Sequence, residues 1–159
     1  MHFGITGHRG LDDQLQQRIA ELLAHALAPH AQDLTGISCL ADGPDSTFAD
    51  LVLALGGRLE AVIPARGYRD GLPDWHHATY DRLLAAAADV HETGLPDSTP
   101  QAHMVASEML VGLSDLLIAV WDGRPARGYG GTADVVAYAH AVGTPVLVVW
   151  PEGAVRPEA

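Results

Sequence analysis

The sequence predicts a three-layer α/β domain, a mostly parallel sheet of five to six strands flanked by helices. Short apolar runs of strand length alternate from end to end with apolar stripes at helical spacing, the pattern of strand, crossover helix and parallel strand. The run "LLIAVW" at 116–121 is apolar without a break, as a central parallel strand covered on both faces must be. Glycine and proline fall between these segments, where the chain has to turn.

Each element follows in order. His2 to Thr6 is a first strand, broken by Gly7. A helix begins at about Asp13, where Leu15, Ile19, Leu23 and Leu27 recur every fourth residue; Asp13 caps it with Gln16 three places on, and Pro29 follows its end. Gly36 to Ala41 is the second strand. Pro44 stands at the first position of the next helix, whose stripe of Phe48, Leu51, Val52 and Leu55 stops at Gly56 and Gly57. Leu59 to Ile63 is the third strand, halted by Pro64, and a longer loop through Gly67 and Gly71 leads to a helix over Asp74 to Ala88. Val90 to Thr93 is a short fourth strand, and Thr99 before Pro100 caps a helix ending near Leu113. Leu116 to Trp121 is the fifth strand, a last helix starts at Thr132, and Pro145 to Trp150 is the final strand. This is a Rossmann-like succession, and the strand order expected of it is 3-2-1-4-5 with an added edge strand. Residues 1–150 are expected to form one domain and 151–159 a mobile tail.

Composition narrows the function. With 159 residues, 48% of them hydrophobic, and no apolar run of membrane-spanning length, the chain reads as an ordinary soluble domain with no membrane partner. Met1 to Gly10 does not resemble a signal peptide, so the cytoplasm is the expected compartment. Cys39 is the single cysteine; between Ile37 and Leu40 it is expected to be an inert core thiol. A net charge of −11 leads to the expectation of no nucleic-acid partner. All nine basic residues are arginine, and Arg9, Arg66, Arg69, Arg124 and Arg127 fall in expected loops. The guanidinium fork suits phosphate and carboxylate oxygens, so an acidic protein can still hold a local anion site.

In open α/β sheets, ligands bind beyond the carboxyl ends of the strands, where glycine turns and helix N-termini offer backbone N–H groups. The candidate residues are therefore those that follow the strands. After the first strand come Thr6, Gly7, His8 and Arg9; after the second come Ala41, Asp42, Gly43 and Asp45. After the fifth come Trp121, Asp122, Gly123 and Arg124, and then Gly128, Gly130, Gly131, Thr132 and Asp134. The last group strips side chains from the approach to a helix, which reads as a phosphate cradle. Thr132 and Asp134 equally suit plain capping of that helix. No spacing of histidines or acids matches a metal motif, and no cofactor is expected.

Taken together, "GITGHRGL", "LADGPDSTFA" and "SDLLIAVWDGRPARGYGGTADVVAYA" resemble the SLOG superfamily, the Rossmann-like group that includes the lonely-guy phosphoribohydrolases and the Smf-type proteins. The likeness runs from Phe3 to Trp150 and is nearest to sensor-type domains with "TGHR" and "GGTA" motifs. It implies that Gly130, Gly131, Thr132 and Asp134, with Gly7, His8 and Arg9, hold the phosphate and ribose of a nucleotide-type ligand, and that the chain forms a homodimer. The enzymes of the group carry P-G-G-x-G-T-x-x-E and an upstream arginine. Here the acid is Asp134, two residues after Thr132, and Ala106 stands where the arginine would be.

The expected function is therefore recognition of a nucleotide or nucleotide-derived ligand as a sensor or carrier module. The alternative is a nucleoside 5′-monophosphate phosphoribohydrolase, with Asp134 catalytic and Arg9 or Arg124 on the phosphate. A weaker reading has Trp121 or Trp150 mediate assembly with a partner.

Overall fold

A computed structural model describes residues 1–157. Six strands, β1 (His2–Gly7), β2 (Thr35–Ser38), β3 (Arg58–Ile63), β4 (Asp89–Glu92), β5 (Leu116–Val120) and β6 (Val146–Val148), form one sheet in which every pairing is parallel. Its order is β4-β3-β2-β1-β5-β6. The sequence expectation of 3-2-1-4-5 needs one correction: the strand beside β1 is β5, and β4 is the added edge strand beyond β3. Its segment, "DVHE", is short and charged, which suits an edge better than a strand covered on both faces.

Alternation along the strands sorts the helices into layers. Phe3, Ile5, Ile118 and Val120 point to one face and pack with Leu15, Ile19 and Leu23 of α1 (Asp13–Leu27) and with Phe48 and Val52 of α2 (Pro44–Ala54). Leu59, Ala61 and Ile63 extend that layer under α3 (Tyr68–Gly71) and α4 (His77–Ala86). Ile37, Val62 and Leu117 point the other way, against Met104, Leu110 and Val111 of α5 (Pro100–Leu113) and Val135 and Ala139 of α6 (Thr132–Ala141). The result is the three-layer Rossmann-like α/β architecture. Gly4 is what lets α5 lie so close to β1, because a Cβ there would meet Leu110 Cδ2 at 2.6 Å.

Several boundaries move for local reasons. The α1 cap is Asp12, not Asp13: its extended backbone aims Oδ1 at the Leu15 amide, 2.8 Å away. A 3₁₀ turn over Ala28–Asp33 follows α1, with Pro29 inside it. β2 stops at Ser38, whose hydroxyl accepts from the Leu40 amide (3.0 Å) and donates to the Asp45 carbonyl (3.0 Å), and Leu40 then adopts φ +61°. The expected helix over 74–88 is instead a 3₁₀ turn at Asp74–His76 followed by α4, and the expected loop before it contains the short α3. Buried His76 explains the break, since its Nε2 sits 2.9 Å from the Leu40 carbonyl and 3.2 Å from Ser46 Oγ. Thr99 caps α5 as its sequence suggests, accepting from the Ala102 amide at 3.0 Å. Among the described residues, no helix is long and apolar enough to cross a membrane.

Candidate functional site

The chain builds β1 to β4 outward in one direction and then returns to place β5 on the other side of β1. Such a reversal leaves a crevice at the carboxyl ends of the two strands, because their following loops run to opposite faces. Here those loops are residues 8–12, between β1 and α1, and residues 121–131, between β5 and α6.

Two connected chambers occupy the crevice, sharing Thr6, Gly7, Arg9, His103 and Gly130. The outer chamber, about 310 Å³, is further lined by His8, Arg127, Gly128, Gly131, Thr132 and Arg156. The inner chamber, about 120 Å³, reaches between α2, α3 and α5 to Cys39, Ala41, Asp45, Tyr68 and Ser107.

The glycine loop is shaped by its own backbone. The Gly130 amide donates to Asp134 Oδ2 at 2.9 Å, and the Gly131 amide donates to the Gly128 carbonyl at 3.3 Å. Gly130 has φ +83°, and a Cβ there would meet the Pro100 carbonyl oxygen at 3.0 Å, so the loop lies against the start of α5. Gly131 is the N-cap of α6 and no side chain caps that end, which leaves the positive end of the helix facing the outer chamber. Asp134 thus holds the loop in place.

The β1 loop is tied down on both sides. Arg9 directs Nε (2.9 Å) and Nη2 (2.6 Å) onto Asp42 Oδ1, so its charge is matched. His8 is buried, with Nε2 3.1 Å from Asp122 Oδ1 and 3.2 Å from the Asp122 amide, and its ring meets Trp150 edge to face at 5.7 Å. Burial, and then the charge of Arg156, hold this imidazole below its ordinary value against the pull of Asp122. A neutral ring accepts from the amide in one tautomer or donates to the carboxylate in the other. Either way it joins the two loops.

Acid and hydroxyl groups collect in the inner chamber. Burial pushes the Asp45 carboxyl up to about 7, outweighing the Ala41 amide, which donates to Oδ2 at 3.4 Å, and the attraction of Arg9. Burial also raises the Tyr68 phenol and the Cys39 thiol well above their ordinary values. His103 is lowered, by burial and then by Arg9; its Nε2 is 2.8 Å from Ser98 Oγ and its ring packs on Tyr68 at 5.7 Å. Among the described residues, no three His, Cys, Asp or Glu side chains gather as a metal ion requires.

Of the residues picked out by sequence, Thr6, Gly7, His8, Arg9, Ala41, Asp45, Gly128, Gly130, Gly131 and Thr132 line the chambers. Asp42 stands behind Arg9, Gly43 caps α2, and Asp134 stands behind Gly130. Trp121, Asp122, Gly123 and Arg124 form a turn beside the crevice and line neither chamber; Trp121 Nε1 donates to the Arg124 carbonyl at 2.8 Å and the Arg124 amide to Asp122 Oδ1 at 3.0 Å. Arg66 and Arg69 open onto a separate depression of about 410 Å³ beside β4, and Arg69 lies in α3, paired with Asp81. Sequence reasoning missed Tyr68, His103, Ser107 and Arg156. The first three come from elements distant along the chain, and His103 and Ser107 carried only the i, i+4 spacing that puts both on one face of α5. Ala106, also on α5, is buried in the core.

No family model matches the chain, and no curated protein matches it in sequence. Solved structures do match. DNA processing protein A from Streptococcus pneumoniae superposes with TM-score 0.67 at 19% identity, covering 92% of this chain and 49% of that one. The chain therefore spans about half the length of that relative. DNA processing protein A from Helicobacter pylori, described for its single-stranded DNA binding mode, gives 0.65 at 18%, covering 93% of this chain and 64% of that one. The molybdenum cofactor binding protein of Rippkaea orientalis gives 0.61 at 18%, covering 92% and 74%. These likenesses show the fold, the Rossmann-like α/β architecture that the sequence led us to expect. The expectation of no nucleic-acid partner is corrected, because a protein of this fold binds single-stranded DNA. Net charge sums over the whole surface, whereas binding is decided by local groups, and here the rim of the crevice is basic.

Proposed function

We propose that the chain binds a phosphorylated small molecule of nucleotide type in the β1/β5 crevice, acting as a sensor or carrier. The phosphate occupies the outer chamber against the glycine loop and the N-terminus of α6, and the remainder of the ligand extends toward the inner chamber. The observation that carries this reading is a pair of guanidinium groups that, among the described residues of an acidic protein, have no carboxylate partner. Among the described residues, Arg127 donates only to a backbone carbonyl, that of Pro157 (2.6 Å), and Arg156 Nε is enclosed with no acceptor. Phosphate oxygens supply the missing acceptors. A combined volume of several hundred Å³ suits a ligand of nucleotide size.

Calorimetric titration against AMP, ADP-ribose, NAD, a cyclic oligonucleotide and a single-stranded oligonucleotide tests the reading. Binding of a phosphorylated small molecule, lost when the crevice is altered, is the expected result. Silence from every small molecule at millimolar concentration overturns it. Release of free base from a nucleoside monophosphate would instead establish hydrolysis, in which Asp134 acts only through the loop it holds.

A further inference from the structure

We infer that the segment from Trp150 to Pro157 is a working part of the binding site, a strap that carries Arg156 into the outer chamber to hold a ligand's terminal phosphate. The inference rests on the function proposed above.

The strap is anchored at its root. Past β6, the Val149 amide still donates to the Ala119 carbonyl at 2.8 Å, and Val149 and Pro151 are buried. Trp150 packs against the α1 side of the core and meets His8 edge to face, while its Nε1 donates to the Ala154 carbonyl at 3.1 Å. The Ala154 amide returns to the Pro151 carbonyl at 3.1 Å, closing a turn, and Arg18 of α1 donates to the Glu152 carbonyl at 3.1 Å. From there the chain crosses to the crevice mouth, where Arg127 takes hold of Pro157.

What the strap delivers is a cation in an awkward position. Arg156 lines the outer chamber beside Arg127 and the glycine loop, and its Nε is enclosed without an acceptor among the described residues. Burial, and then the like charge of Arg127, hold its guanidinium below the ordinary value, with Asp122 only partly offsetting them. An enclosed charged donor with no acceptor is costly, and two guanidinium groups repel each other. An anion between them relieves both. The charge count among the described residues then selects the anion: Arg9 is matched by Asp42, which leaves the two charges of Arg127 and Arg156. A phosphomonoester, whose second ionisation lies near pH ~6, brings about two negative charges at neutral pH, whereas a diester brings one.

The test uses the full chain with AMP and its 5′-phosphate methyl ester, titrated at about pH 7.5, where AMP is a dianion. Wild type should bind AMP on the order of tenfold more tightly than the ester, with R156Q bringing the two within about twofold and R156K lying between. R82Q, which removes a remote surface charge paired with Asp50, serves as the control and should leave the ratio unchanged. Saturating AMP should also slow amide exchange across 150–157 in wild type but not in R156Q. If R156Q keeps the wild-type affinity and preference, or exchange in the strap ignores AMP, this inference fails while the proposed function stands. If wild type binds no member of the earlier ligand panel, both fail.

Discussion

The Asp134 carboxylate accepts the Gly130 amide across four residues, at 2.9 Å, and so closes the glycine loop on the first turn of α6. An acid next to a turn proposed to bind phosphate would ordinarily repel the anion. Here it spends one oxygen on the backbone and sets the φ +83° conformation that gives the loop its shape.

Asn keeps an acceptor at this place and Ala does not, so Asp134→Asn should stay within about 0.5 kcal/mol of wild type while Asp134→Ala loses on the order of 1–2 kcal/mol. Urea unfolding of both variants checks this. Equal losses for the two would show that the charge, rather than the hydrogen bond, is what matters.

Gly130→Ala and Gly128→Ala should behave differently although both lie in the same loop. A Cβ at Gly130 combines a left-handed backbone with a 3.0 Å approach to the Pro100 carbonyl, whereas a Cβ at Gly128 meets nothing within 4 Å. Gly130→Ala is expected to cost about 1–3 kcal/mol and to weaken phosphate binding, while Gly128→Ala should fold as wild type. Melting temperatures for the pair are the direct measurement.

The Asp45 carboxyl makes stability depend on pH with an unusual sign. Folded, it titrates at about 7; unfolded, near ~4. Between these values the native state keeps a proton that the unfolded chain has released, so this group's contribution falls as pH rises from about 4 to about 7. His8 and His103, both lowered, act oppositely: below ~6.5 the unfolded chain takes up protons that the folded rings refuse. Comparing Asp45→Asn with wild type isolates the carboxyl, since the amide mimics the protonated acid and does not titrate. The variant should gain stability relative to wild type as pH is raised from about 5 to about 8; a difference that stays constant over that range contradicts the assignment.

Cys39 should be slow to react. Burial, and then the Asp45 charge, raise its thiol well above the ordinary value, so little thiolate forms at neutral pH even though the residue borders the inner chamber. Alkylation by iodoacetamide should be slow in the native protein and become fast in denaturant. Rapid native labelling would mean that the chamber is wetter and more open than the packing of Tyr68 and Leu110 implies.

What the sequence determined by itself was local and periodic. The alternation of strand and helix, the start of α2 at Pro44, the cap at Thr99, and the glycine loop before α6 are all written within a few consecutive residues, because propensity, capping and turn chemistry act at that range. Placing the candidate residues after the strands was legible for the same reason: in a parallel sheet every strand ends on one edge. Tertiary structure alone decided what meets at that edge. The placing of β5 beside β1, the pairing of Arg9 with Asp42, the arrival of His103 and Ser107 from α5, and the return of Arg156 from beyond β6 join residues dozens of positions apart. Such encounters are selected by burial of the apolar faces of the whole sheet, a cooperative quantity that no short stretch of chain carries.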